Sequence, residues 1–279
     1  MKPDEVKDKL KGKGNPGANI ENADKEEEKT KAVTLWTQLR GMEDQFKVAL
    51  ADSIDAGQFL RVAITAIKQS PNLMKCEPLS LLGAVMQSAQ MGLYVNVLGQ
   101  SWIIPYWDNE KKCYYAQFQL GYQGALALSY RTGIYKDIYA MPVYKNDEFR
   151  YHYGTDKELY HVPADKPEGN PIKYYAHYRL PGGGEDFKVW TAEKVEAHRV
   201  EHNKMKDKKA LSNVWKKNYD EMAMKTVLVY LLKYAPKSIA FHSHITQDST
   251  VKFYDPKNPD MEIQKNEIEN ADFTEVDGE

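Results

Sequence analysis

Only two cysteines occur in 279 residues, Cys76 and Cys113, and they form neither a CxxC pair nor any metal-ligand spacing. A disulfide-stapled secreted fold is thereby excluded, and both thiols are expected as small, semi-buried side chains. No stretch approaches the roughly 18 uninterrupted apolar residues of a membrane span. The amino terminus, MKPDEVKDKLKGKG, is charged where a signal peptide needs an apolar run. The chain therefore reads as soluble and cytoplasmic, with no membrane partner. Also missing is a glycine-rich loop that joins a strand to a helix and closes on Lys-Ser or Lys-Thr, the phosphate cradle of nucleotide hydrolases. The one glycine run, Gly182-Gly183-Gly184, joins two predicted strands and reads as a hairpin turn.

Net charge is nearly absent too, at −2, but its distribution is uneven. Residues 188–237 hold twelve Lys or Arg against six acids, giving +6, whereas residues 249–279 hold nine acids against three lysines, giving −6. A basic segment of this kind can follow a phosphate backbone, and an acidic tail can compete for it or recruit another protein. Ordinary solvated surfaces would carry the same charges. With 42% apolar residues, the chain has enough to bury one substantial core.

Residues 1–30 have almost no large apolar side chains and cannot repay the entropy of ordering, so a disordered arm is expected there. Two short helices fit residues 31–50, interrupted by Gly41. Asp55 caps a stronger helix with Phe59, Val62, Ala63, Ala66 and Ile67 at helical spacing, ended by Pro71. Another runs from Pro78 to Met91 and stops at Gly92. The period then changes to that of a β-hairpin, with strands over 100–106 and 112–120. A short helix over 121–131 precedes strands at 134–144 and 148–153, and the proline-rich stretch 153–171 reads as irregular.

The cleanest alternation follows: Ile172, Tyr174, Ala176, Tyr178 and Leu180 on one strand face, Lys173, Tyr175, His177 and Arg179 on the other. The first face is expected in the core and the second as an open basic, aromatic face. A strand at 185–190, a helix capped by Thr191 and running to His202, and a lysine-rich loop at 203–212 come next. The last strong helix spans about 213–233, with Trp215, Tyr219, Met222, Thr226 and Val229 as its core stripe and Lys217 and Lys225 on another side. Residues 249–279 read as an acidic disordered tail.

Two constellations bear on chemistry. His198-Arg199-Val200-Glu201-His202 fits the HxxEH pattern, in which two His at i,i+4 share a metal and Glu activates water. A zinc-dependent hydrolase also needs a third ligand from a later helix, and most later acids fall in the tail, so a solvated helical face is the preferred reading. Nucleic-acid binding needs cations to replace counterions and planar or amide side chains to meet bases. Lys173, Tyr175, His177 and Arg179 on a strand, Lys204, Lys206, Lys208 and Lys209 in a loop, and Lys216, Lys217 and Lys225 on a helix supply both sets within about fifty residues. Trp215 and Tyr219 are read as core rather than as stacking platforms. A non-catalytic structural or adaptor protein is the remaining alternative.

Several strings together resemble one known family. Leu98-Gly99-Gln100-Ser101-Trp102-Ile103-Ile104-Pro105-Tyr106, followed by Phe118-Gln119-Leu120-Gly121-Tyr122-Gln123-Gly124, is similar to the signature "LGQAYLIPF…QLGYKG" of the RecT family of phage single-strand annealing proteins. Arg131, Gly133 and Val143-Tyr144-Lys145-Asn146-Asp147-Glu148-Phe149 resemble its "RRSG…VVYEGDDF". Trp215, Tyr219, Glu221-Met222-Ala223 and Lys225-Thr226 resemble its closing "W…EMAKKT". The likeness covers about residues 55–240 in order. It implies an α+β fold with a central, mainly antiparallel sheet flanked by helices and tails that are disordered. In that scheme residues 31–248 form the annealing domain, with a helical lobe over 31–92 for oligomerisation and a DNA-binding core over 93–248.

The resemblance further implies single-stranded DNA and an annealed duplex intermediate as partners, without bond chemistry. It implies a homo-oligomeric ring or helical filament, a phage exonuclease and a host single-strand binding protein as partner proteins, and no obligatory cofactor, with a place for Mg2+ in annealing. DNA-binding roles carry over to Gln119, Tyr122, Arg131, Lys216 and Lys225, and the residue pattern adds Lys173, Arg179, Lys206, Lys208, Lys209 and Lys217. Where one branch of the family has two arginines after Lys-Thr, this chain has Val229 and Tyr230, so the surface is expected to be less basic there. Gln123 stands where the signature often has Lys.

Overall fold

The computed structural model describes residues 33–50, 54–109, 111–203, 207–236, 242, 246 and 248–257, and the backbone of 273–275. The expected N-terminal arm and most of the expected acidic tail lie outside the described residues. A helical segment at 33–41 leads into α1 (Glu43–Ala49), α2 (Ala56–Lys68), a 3-10 turn (Pro71–Lys75) and α3 (Pro78–Gln90). Their starts and stops follow local chemistry. The Asp55 carboxylate accepts from Gln58 N, Glu77 accepts from Leu79 N and Ser80 N, and Gly92 takes a positive φ of 58° just past α3.

The hairpin β1 (Ser101–Asp108) and β2 (Cys113–Leu120) pairs in the register Ile104 to Gln117, and β1 also pairs with β8 (Phe273–Glu275). After α4 (Tyr122–Arg131), a second antiparallel sheet has the order β3 (Asp137–Val143), β6 (Lys173–Arg179), β7 (Glu185–Thr191). A separate hairpin joins β4 (Glu148–His152), where a strand was expected, to β5 (Glu158–Val162), which lies in the stretch expected to be irregular. α5 (Ala192–His202), α6 (Asn213–Lys217) and α7 (Tyr219–Leu232) complete the order. The α+β class with antiparallel sheets flanked by helices is therefore the observed one. No helix among the described residues is long and apolar enough to cross a membrane.

One long helix was expected over 213–233, but Asn218 leaves the helical region at φ −136° and ψ 49° and splits it into α6 and α7. The core stripe differs as well. Ala223, Val227, Leu228, Leu231 and Leu232 are fully buried, because α7 packs on β3, β6 and β7 on one side and on α4 and α5 on others. A helix enclosed on several sides is apolar nearly all round, so its spacing does not mark a single inner face.

Both faces of the β1–β2 hairpin are covered. Ala116, Phe118 and Leu120 of β2 face the main core, while Tyr115 joins Ile104, Tyr106, Val214, Met222 and Val251 in a second, smaller one. Residues 248–257, assigned by composition largely to the tail, supply part of that cover. Thr250 bridges Phe118, Tyr254 N donates to Leu79 O, and Phe253 meets the Tyr115 ring edge-on at 5.4 Å. The carbonyl of Lys252 lies where a Cβ on Gly83 would stand, so α3 accepts this segment only because Gly83 has no side chain.

Candidate nucleic-acid interface

The residues carried from the family strings are mostly held inside the fold. Gly121 and Gly124 press against the backbone of Gly99 and Gln100, and any Cβ at either position would collide with it. The glycines of the two strings therefore seat the α4 N-terminus on the 98–100 turn. The Tyr122 hydroxyl donates to Ala140 O at 3.2 Å and accepts from Ala140 N at 3.0 Å, pinning α4 to β3. Arg131 donates from both terminal nitrogens to Met91 O and Gly92 O, each at 2.6 Å, and so closes the end of α3. Gln119 is buried on β2.

Lys225 was expected on an outer face of the last helix and is instead 5% exposed. Its ammonium lies 2.6 Å from Asp248, whose other oxygen accepts from Leu120 N at 2.8 Å. The ion pair ties α7 to β2 and to the 248–257 segment.

The face of β6 expected to be open is roofed. Tyr175 and His177 are 3% and 7% exposed: the β4–β5 hairpin folds over Tyr175, and His177 lies against Tyr139 and Glu185. Phe149 lies 5.7 Å from the Tyr175 ring, and Tyr153 stacks on Phe187 at 5.1 Å. The hairpin is fastened by Asp147, which accepts from Tyr144 N, Ala164 N and His161 Nε2 at 2.7–3.0 Å, while His161 Nδ1 meets the Tyr175 hydroxyl at 3.2 Å. Burial alone would raise the Asp147 carboxyl, but the two backbone N–H groups and His161 hold it below its ordinary value. Arg179 is half exposed and engaged by Glu185 at 3.0 Å, and Lys173 is half-buried. Tertiary cover thus removes most of the strand face from any ligand.

What remains outside gathers on α5, the following loop and α6. Lys208, Lys209, Lys216 and Lys217 are exposed, whereas Lys204 and Lys206 lie outside the described residues. Arg199, 5% exposed, organises this region. It forms a two-pronged contact with Glu196 at 2.7 and 2.9 Å and donates to Ala210 O and Lys209 O at 2.8 and 3.0 Å. The Tyr219 hydroxyl donates to Glu196 at 2.9 Å, and Asn203 Nδ2 donates to Lys208 O and Ala210 O. Ser212 caps α6 by accepting from Trp215 N. The hydrogen bonds to Arg199 are the main reason that the Glu196 carboxyl sits below its usual value; those to Glu196 likewise raise Arg199. One buried guanidinium therefore sets the course of a lysine-bearing loop.

Beside it lies a group of aromatics and cations that sequence reasoning missed. Trp190 on β7 packs at 4.8 Å against Tyr230 on α7, with Lys194 over the Trp190 ring at 4.6 Å. Lys233 lies over Tyr230 at 5.9 Å, and Tyr234, 71% exposed, extends the row. Tyr230 was read as a loss of positive charge, yet Lys194 and Lys233 surround it. No local signal joins β7, α5 and α7, so spacing could not have found the group.

On the same side, His198, Glu201 and His202 bring one ligand atom each within 4.8 Å of one another, with the His rings 4.0 Å apart. Burial, then His202, Lys233 and Lys194, lower the His198 pKa. No further His, Cys, Asp or Glu joins them among the described residues. Both cysteines are free, and burial pushes the Cys76 thiol well up.

The comparisons with known proteins agree with the strings quoted above. The family model described as "RecT family" matches residues 57–267. Protein RecT of Escherichia coli (strain K12) is 31% identical over 210 residues, 74% of this chain and 76% of its own length. A protein of Bacillus subtilis (strain 168), named "Uncharacterized protein YqaK", is 31% identical over 226 residues, 79% of this chain and 75% of its own. A match this long, at this identity and in this order, places the chain in the RecT family.

Proposed function

We propose that the chain binds single-stranded DNA and anneals complementary strands without nucleotide hydrolysis, in phage-type homologous recombination in the host cytoplasm. Membership of the RecT family across residues 57–267 carries this reading. The exposed lysines of the α5–α6 region, beside Trp190, Tyr230 and Tyr234, support it chemically. Cations there would displace counterions from phosphates, and the exposed Tyr234 ring, backed by the half-buried Tyr230 and the buried Trp190, would meet a base without regard to sequence.

The mechanism is one of holding rather than bond-making. With the backbone gripped by lysines, base edges stay open for a second strand to test pairing. Matched strands then gain about 1.4 kcal/mol per stacked step and mismatched ones dissociate. In this reading Lys208, Lys209, Lys216 and Lys217 touch DNA, with Lys173 and Arg179 at the margin, and Lys206 is included on the sequence pattern alone. Gln119, Tyr122, Arg131 and Lys225 act from within by fixing the scaffold. Copies of the chain assemble into a ring or filament to line up successive nucleotides, and a phage exonuclease and a host single-strand binding protein supply the strand. No cofactor is obligatory in this reading, and Mg2+, where present, would supply counter-charge to the phosphates during annealing.

The test is annealing of complementary oligonucleotides by the purified full chain at low salt, with and without ATP. Acceleration that is indifferent to ATP is expected. Failure to protect single-stranded DNA from nuclease together with failure to accelerate annealing would sink the reading.

A further inference from the structure

We propose that His198, Glu201 and His202 form a binding site for a borderline divalent transition-metal ion of the zinc class at the last turn of α5. The three residues stand at i, i+3 and i+4 on one helix face, and their ligand atoms already lie within 4.8 Å of one another. Tetrahedral zinc with ligands at about 2.0–2.1 Å holds those atoms ~3.4 Å apart. The remaining closure, up to ~1.4 Å, falls chiefly to the exposed carboxylate of Glu201, with only a small swing of the His202 ring.

A second observation points the same way. His202 Nδ1 lies 2.9 Å from the backbone carbonyl of His198. A carbonyl only accepts, so Nδ1 carries the hydrogen and Nε2 is the ring nitrogen left for a metal. That backbone-anchored tautomer is the usual support of a metal-ligating histidine. His198 is held from the other side, with its ring edge-on to Trp190 at 5.3 Å. Two imidazoles and one carboxylate suit zinc, nickel, copper or cobalt and do not suit magnesium, which demands oxygen ligands. Lys194 and Lys233 stand nearby and oppose a dication, while Glu201 offsets them in part. Water completes the coordination.

Asn203, next after His202, joins Arg199 in tying the lysine-bearing loop to the end of α5. A metal bridging His198 and His202 would lock the turn from which that loop departs and add positive charge beside it.

The experiment uses the untagged full chain, dialysed against Co2+ or Zn2+ and read by elemental analysis, visible absorption and calorimetry. About one equivalent is expected, with cobalt bands of nitrogen and oxygen coordination and no thiolate charge-transfer band. Excess Mg2+ should not compete. His202→Ala removes an exposed ligand and should weaken binding by about tenfold or more, with Glu201→Gln intermediate. An unchanged melting temperature of metal-free His202→Ala keeps misfolding out of the comparison. Equal uptake by wild type and His202→Ala, or a thiolate band traced to Cys113 with Cys113→Ser, overturns the proposal. Since DNA enters no arm, the result stands apart from the annealing reading.

Discussion

Replacing Asp248 with Ala should unfold this protein far more readily than any change among its exposed lysines. The Lys225–Asp248 pair is 2.6 Å long with side chains 6% and 18% exposed, so salt screens it little. Removing one partner of such a pair leaves an uncompensated buried charge, at a cost of about 3–5 kcal/mol. Asp248→Ala also orphans Leu120 N, a further ~1–3 kcal/mol that overlaps the first because water entering the hole solvates both. A loss of about 4 kcal/mol corresponds to a fall in melting temperature of roughly 8–16 °C for a chain of this size. Asp248→Asn keeps an oxygen for Leu120 N and should lose less. Lys225→Met combined with Asp248→Asn should recover at least ~1 kcal/mol relative to the sum of the single changes, since no charge is then stranded. Circular dichroism melts at fixed protein concentration measure wild type, Asp248→Ala, both single changes of the pair and the double variant. An Asp248→Ala variant within ~1 kcal/mol of wild type, or strict additivity in the pair, refutes the argument. So would a Lys225→Ala protein that keeps its melting temperature while its DNA-binding salt slope falls by ~0.7, because that is the behaviour of an exposed phosphate contact.

Lys216→Ala with Lys217→Ala should leave the melting temperature within about 1–2 °C and flatten the salt dependence of single-strand binding by up to ~1.4, measured by fluorescence anisotropy; an unchanged slope removes both from the interface. Tyr122→Phe removes the hydroxyl that pairs with both Ala140 O and Ala140 N and should cost about 1–3 kcal/mol in urea denaturation while DNA affinity at low temperature holds, whereas lost affinity in a fully folded variant would return Tyr122 to the DNA. The Asp147 carboxyl is depressed in the folded state, so its contribution is present above the unfolded pKa of about 3.9 and disappears as pH falls through the lower folded value. Acid titration of stability should therefore be shallower below pH ~4 in Asp147→Asn than in wild type, and parallel curves would contradict that role.

Much of the fold was legible because its signals are local. Asp55 and Thr191 announce helix starts through side chains that accept from N–H groups three residues on, and Gly92 marks an end by its backbone freedom. The β1–β2 hairpin shows in alternation on either side of a turn. β5 did not show: Glu158, Tyr160 and Val162 are exposed, and the strand is held by pairing to β4 rather than by a buried face. The β4–β5 hairpin in turn converts the polar face of β6 into an interior one, an event no residue of β6 encodes.

The sequence by itself determined the family, the α+β class, the caps and turns, and the concentration of lysines between 188 and 237. Those depend on contacts a few residues apart or on strings compared in order. Only the tertiary structure decided which lysines face water. Lys217 and Lys225 stand two helical turns apart in one motif, yet the first is exposed and the second is buried because Asp248 comes to it from 23 residues further on. The meeting of Trp190, His198, Tyr230 and Lys233 likewise requires β7, α5 and α7 to be packed together. Burial and long-range pairing are properties of the packed chain, and periodicity records only the first layer of it.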